Sequence, residues 1–217
     1  MDGPLVWRPI LETWSRDALA LLSRIQAGDL LDIEAEAMSR GTLMFPPAEE
    51  KEIESLEERM QLKLPASYRG FLLCSDGWLQ LGMDAEHGRL LAAERVGTVA
   101  ILYPELIETF KSPGETSVSE EEYLRYGEAQ SYPELRLTHI GSAIAISEHI
   151  DSAFYALNPA VTFLDGEWEA WAHRFWGQGR RFRSFWELML AESASCLRNL
   201  RESVEFRRSR GAQPTAR

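Results

Sequence analysis

The chain has 217 residues, 45% hydrophobic and 26% charged, with nine Phe, seven Trp and six Tyr to fill a core; this excludes general disorder and suits one domain with an extension better than two. Against 23 Lys and Arg stand 34 Asp and Glu, a net charge of −11, so the concentrated positive surface that phosphate backbones require is missing and a basic protein partner is the better expectation. From Arg174 onward ten Arg face four Glu, a net +6, which leaves −17 on the first 173 residues and assigns the acidic surface to them.

The first residues carry Asp2, lack a basic leader and are interrupted by Pro4 and Pro9, which does not read as a signal peptide. No run of about 18 apolar residues offers a membrane span, so no membrane partner is expected. Trp7, Ile10, Leu11, Trp14, Ala18, Leu21, Leu22 and Ile25 recur at spacings of three and four, which predicts an amphipathic helix ending near Gly28. Residues 29–43 are acidic and less periodic, and Phe45-Pro46-Pro47 stops any helix from running through. Residues 1–40 are therefore expected to be a helical extension, and 41–205 the main domain.

After Pro47, Ile53, Leu56 and Met60 form the stripe of a second helix, whose other positions hold Glu49, Glu50, Glu52, Glu54, Glu57 and Glu58. Acids in its first turn suit the positive end of the helix dipole. Pro65 suits the first position of a short third helix that turns Tyr68, Phe71 and Leu72 inward, and Ser75-Asp76-Gly77 signals a turn directly before Trp78. Farther on, GRLLA, RLTHIG, AIAIS, SAFYAL and EWEAW are short apolar or alternating runs bounded by Gly, Pro, Asn and Asp, as strands are. Asp165-Gly166 between VTFL and EWEAW predicts a hairpin. Residues 111–134 read as a surface excursion with an acidic helical turn at 120–126. Ser184 to Glu187 form a capping box that opens a long last helix with Phe185, Leu188, Met189, Leu197, Leu200 and Val204 as apolar positions, and residues 206–217 read as a disordered basic tail.

Motifs for chemistry are sparse. No G-x-S-x-G or G-x-x-x-x-G-K-[ST] is present, and Gly177-Gln178-Gly179, followed by Arg180-Arg181-Phe182, fails the dinucleotide fingerprint and reads as a flexible turn. Cys74 and Cys196 are too few for a disulfide framework and wrongly spaced for zinc, which fits a reducing cytoplasm. Of His87, His139, His149 and His173, only His87 lies among other ligand types, in Asp84-Ala85-Glu86-His87, and a solvated turn accounts for that cluster; neither metal nor cofactor is expected. Glu167 and Glu169 would share one face of a strand and could form an acid–base pair, but an outward-facing strand edge produces the same pattern. The aromatic run from Phe163 to Trp186, interleaved with Arg174, Arg180, Arg181 and Arg183, reads as packing at the strand-to-helix junction with arginines over rings, ahead of a single-strand nucleic-acid platform.

The segment FPPAEEKEIESLEERMQLKLPASYRGFLLCSDGW, from Phe45 to Trp78, resembles the N-terminal signature of the SMI1/KNR4 family, also called the SUKH superfamily. The Glu-rich helix with Ile53, Leu56 and Glu57, then Leu64-Pro65 before Tyr68 and Phe71, and the turn ending at Gly77-Trp78 carry the likeness; Asp76 stands where members commonly have Asn. Weaker landmarks are Arg89-Leu90-Leu91, Ile140-Gly141, Ala156-Leu157-Asn158-Pro159 and Asp165-Gly166-Glu167-Trp168, giving coverage from about Gly41 to Leu190. The resemblance implies an α+β fold, with N-terminal helices packed on a mixed, largely antiparallel sheet and a closing C-terminal helix. It also implies a non-catalytic protein-binding role. In bacterial members that role is immunity to a cognate polymorphic toxin, frequently a nuclease; in fungal relatives it is regulatory scaffolding of cell-wall synthesis.

An acidic helix beside an aromatic at a turn resembles an interface with a charged rim and an anchor, though a Glu-rich helix face is also what solubility alone requires. The residues expected to meet a partner are Glu50, Glu54, Glu57 and Glu58 on the second helix, Asp76 and Trp78 at the turn, and Glu120, Glu121 and Glu122 in the excursion.

Overall fold

The computed structural model describes residues 6–81, 89–109, 119–127, 130, 135–150, 153–173 and 179–211. The first predicted helix forms as α1 (Trp7–Leu22), which buries Trp7, Leu11, Ala18 and Leu22 at the spacing one helix face requires. The acidic stretch after it holds a second, separate helix of the expected helical extension, which its weak periodicity did not locate. This helix, α2 (Asp32–Arg40), starts where the Glu34 carboxylate turns back to accept the Leu31 N–H at 2.9 Å, and it ends at Gly41, whose φ of 66° makes a left-handed cap. Its start carries no Ser, Thr, Asp or Asn cap to announce it, because Leu31 holds that position.

α3 (Glu50–Met60) opens after the proline break and buries Ile53, Leu56 and Glu57. α4 (Ala66–Leu72) buries Ser67, Tyr68, Phe71 and Leu72; Pro65 stands just outside it, extended at ψ 148°, where the first helical position was expected. β1 (Trp78–Leu79) and β2 (Arg89–Leu90) then pair antiparallel as a separate two-stranded sheet. Gly77 precedes β1 with φ 111°, and a Cβ there would lie 2.9 Å from the Leu90 carbonyl oxygen, so the close crossing admits only glycine.

The main sheet holds five antiparallel strands in the order β3 (Gly97–Thr98), β4 (Ile144–Ala145), β5 (Phe154–Thr162), β6 (Trp168–His173) and β7 (Arg180–Phe182). Between β3 and β4 come α5 (Val99–Leu102), α6 (Pro104–Thr109) and α7 (Glu120–Tyr123), the last falling within the predicted acidic turn. RLTHIG, expected as a strand, instead holds a 3-10 turn at Leu137–His139, closed where the His139 carbonyl accepts the N–H groups of Ser142 and Ala143. β5 runs through Pro159, which has no N–H to give; the ladder slips between Asn158 and Thr162, and the Ala160 N–H turns to Asn158 Oδ1 at 3.2 Å. The hairpin to β6 turns at Asp165-Gly166 as predicted, with Gly166 at φ 80° and the Phe163 N–H on the Glu167 carbonyl at 2.8 Å.

The closing helix is α8 (Phe185–Gly211). Ser184 caps it by accepting the Glu187 N–H at 3.1 Å, while the Glu187 carboxylate reaches one residue past the cap, to the Arg183 N–H at 3.0 Å. Residues 206–211, placed by the sequence in a disordered tail, continue the helix. There the Arg207 guanidinium holds both oxygens of Glu34 at 2.8 and 3.2 Å, and the Asp29 carbonyl at 3.0 Å.

Helices cover both faces of the main sheet, which is why β5 and β6 bury successive residues. On one face Tyr155, Leu157, Trp168, Ala170 and Phe182 pack with α1, α3, α4 and α8; on the other Phe154, Ala156 and Trp171 pack with Val99, Leu106, Leu135 and Ile140. Trp7 ties α1 into the larger core: its indole N–H donates to the Ser67 carbonyl at 2.8 Å, and its rings lie 5.6 Å from Phe71 and from Phe185. The architecture is the α+β arrangement read from the sequence.

Candidate protein-binding surface

The amphipathic pattern of α3 sorts its acids between two environments. Glu54 and Glu58 are exposed, and Glu50 is exposed with its carboxylate on the Arg69 guanidinium. Glu57 turns the other way and is 6% exposed; Oε1 accepts the Leu64 N–H at 3.0 Å and Oε2 the Lys63 ammonium at 2.6 Å. Burial pushes this carboxyl up, but the Lys63 and Leu64 hydrogen bonds and the charges of Lys63 and Arg69 outweigh it and hold the group below the ordinary carboxylate range. Glu57 therefore fastens α3 to the approach to α4 and is turned away from solvent.

Asp76 is half-buried, its Oδ1 accepting the Ala93 N–H at 2.7 Å while its own N–H meets the Pro46 carbonyl at 3.0 Å. From α3, Arg59 donates to the carbonyls of Ala93 and Val96, both at 2.9 Å. These bonds join α3 and the 75–77 turn to the 93–96 turn, on which Glu94 is exposed. Burial raises the Asp76 carboxyl above its usual value; the Ala93 N–H opposes the rise and the charges of Glu52 and Glu94 add to it. Trp78, at 3% exposure, points into the core, so it supplies packing and leaves the turn without an aromatic anchor for a partner.

Glu120, Glu121 and Glu122 begin α7, where Ser119 Oγ accepts the Glu122 N–H at 3.2 Å. Glu120 is paired with Arg136, and Glu121 with Arg125 at 3.3 Å. These acids do not join the α3 face: α7 is tied through Tyr123 to the opposite side of the main sheet.

That tie is a buried polar centre, which the sequence did not foresee. Glu169 of β6 is fully buried: Oε1 accepts the Tyr126 hydroxyl at 2.9 Å and the Arg181 guanidinium at 3.3 Å, and Oε2 accepts the Tyr123 hydroxyl at 3.1 Å, the Asn158 amide at 2.9 Å and the Trp171 indole N–H at 2.7 Å. Burial and the Glu169 charge push both tyrosine hydroxyls far above their ordinary range, so they remain donors. With Asn158 Oδ1 occupied by the Ala160 N–H, its amide nitrogen faces His139 Nδ1 at 3.2 Å, which assigns His139 the tautomer with its lone pair on Nδ1. Arg136 and Arg181 sandwich the Tyr123 ring at 4.0 and 3.8 Å.

The acid–base pair weighed for Glu167 and Glu169 does not form. Glu167 lies ahead of β6 and caps α4, accepting the Ser67 N–H at 2.8 Å and the Ser67 hydroxyl, while Glu169 is committed to the opposite face. Neither is an outward-facing strand-edge carboxylate. The described part of the aromatic run packs as expected: Trp168, Trp171, Phe182 and Phe185 are buried, Arg180 lies 5.0 Å over Phe182 and Arg183 5.0 Å over Phe163, while Phe175 and Trp176 lie outside the described residues. Arg174 and the Asp84–His87 cluster lie outside the described residues, as does the Gly177-Gln178 part of the turn. Among the described residues no three His, Cys, Asp or Glu gather to hold a metal, and no helix is long and apolar enough to cross a membrane.

No curated protein and no solved structure matches the chain. The sequence profile of the SMI1 / KNR4 family (SUKH-1) does match, over residues 47–191, from the proline break to the first turns of α8, and the chain belongs to that family.

Proposed function

We propose that this protein is a cytoplasmic immunity protein that binds a cognate basic toxin and occludes its working surface without chemistry of its own. Membership of the SMI1/KNR4 family supports a protein-binding module of the immunity or regulatory kind, in a family that is generally non-catalytic. The observation that carries the reading is the concentration of exposed acids on and beside α3: Glu54 and Glu58 stand exposed on the helix, and Glu52 and Glu94, exposed as well, bear on the half-buried Asp76. A negative patch on a chain of charge −11 draws a positive partner from a distance and repels acidic ones, so it acts on association rate and partner choice.

Reversing Glu54 and Glu58 to Lys tests this directly, with a pull-down against the products of neighbouring open reading frames supplying the binding partner. Slower association at low salt supports the reading. Recovery of housekeeping or envelope-synthesis partners and no toxin would assign the chain to the regulatory-scaffold branch of the family.

A further inference from the structure

Val99-Ala100-Ile101-Leu102-Tyr103-Pro104 is an unbroken apolar run, yet it forms α5 and the start of α6 at the surface. A single helical turn buries only one of its sides. That side is taken by Val99, which is fully buried, and by Leu102, which lies so near Gly97 that a Cβ there would be 3.1 Å from Leu102 Cγ. The outward side keeps apolar residues where water favours polar ones: Ala100 and Pro104 are exposed, and Ile101 is 76% exposed.

Acids flank this apolar turn. Tyr103, half-buried, donates its hydroxyl to the Ser147 carbonyl at 2.8 Å, and its ring lies 5.2 Å from that of His149, whose Nδ1 is 3.5 Å from Glu105 Oε1. Burial and the charges of Glu148 and Glu105 push the Tyr103 hydroxyl up, while Arg95, 3.5 Å from Glu148, opposes them. Glu108 is exposed on α6, three residues beyond Glu105. An apolar centre with a charged rim is the anatomy of a binding hot spot, and Trp78, expected in the central role, points into the core instead.

We propose that α5 anchors the basic toxin: Ile101 enters an apolar cleft of that partner, and Glu105 and Glu108 receive its Lys or Arg side chains. The assignment rests on the immunity role proposed for the chain and names the contact that holds the complex once charge has brought the partner in. Charge complementarity favours this occupant over a second copy, which would set acids against acids. Charge at a distance governs arrival, and a desolvated apolar anchor governs departure.

The test measures association and dissociation of a basic toxin domain recovered with the protein from the products of neighbouring open reading frames, for the parent, Ile101→Ser and Leu164→Ser. Leu164, fully exposed on the β5–β6 hairpin, is the control for loss of any surface apolar group. Ile101→Ser is expected to dissociate about tenfold faster or more, with the association rate and thermal midpoint of the parent, and Leu164→Ser to match the parent throughout. Dissociation of Ile101→Ser at the parent rate would overturn the anchor and leave the immunity role standing, as would equal losses in the two variants. A parent protein that binds no basic toxin would overturn the immunity role itself, and the anchor with it.

Discussion

Glu57 turns its carboxylate away from the acidic face of α3 and onto the backbone of Leu64, whose N–H lies 3.0 Å from Oε1. The four acids expected as partner contacts on this helix therefore divide into an exposed set and one structural fastener. Glu57→Ala leaves a buried N–H without an acceptor and is expected to cost about 1–3 kcal/mol in urea unfolding at pH 7, whereas Glu54→Ala stays within about 0.5 kcal/mol. Because the folded carboxyl titrates below its unfolded value, its stabilisation is present above the unfolded pKa of about 4.3 and is lost as pH falls through the lower folded value. The gap between parent and Glu57→Ala should close accordingly in acid.

Asp76 shows the opposite sign. Its folded carboxyl is raised, so the neutral form is favoured and ionisation weakens the fold as pH rises through the folded value. Asn retains an acceptor for the Ala93 N–H without the charge. Asp76→Asn is expected to raise the thermal midpoint at pH 7 and to give no gain at pH 3, where Asp76 is itself protonated; an equal gain at both values would exclude the charge as the cause.

Glu169 is the acceptor for five donors, one of them the buried Arg181 guanidinium. Glu169→Gln replaces a two-oxygen carboxylate with one carbonyl and strands that charge, an expected loss of about 3–5 kcal/mol. Glu167→Gln, half-buried beside the start of α4 and keeping one oxygen to accept from Ser67, should cost only about 0.5–1 kcal/mol. Chemical denaturation of the two single variants measures the contrast, and similar losses would contradict their separate roles.

What the sequence displayed was governed by local pattern. The alternation from Trp168 to Ala172 and the Asp165-Gly166 turn fixed the central hairpin, and the proline break placed α3. Glu57 was legible too, for it follows Ile53 by four and precedes Met60 by three, on the buried stripe. Other features depend on partners far along the chain. The helix through Arg207 rests on Glu34, 173 positions away, and the Glu169 centre collects residues from four separate segments. Glu167 and Glu169 look equivalent as alternate residues, but β6 begins only at Trp168, and the chain before it bends toward α4.

The most direct test of the proposed role is the association rate between this protein and a basic toxin domain recovered with it from the products of neighbouring open reading frames, measured for the parent and for Glu54→Lys/Glu58→Lys at low and high salt. Acidic steering predicts a fall of about tenfold at low salt that disappears when salt screens the charges, with the thermal midpoint nearly unchanged. An association rate that is the same for both proteins at low salt would contradict it.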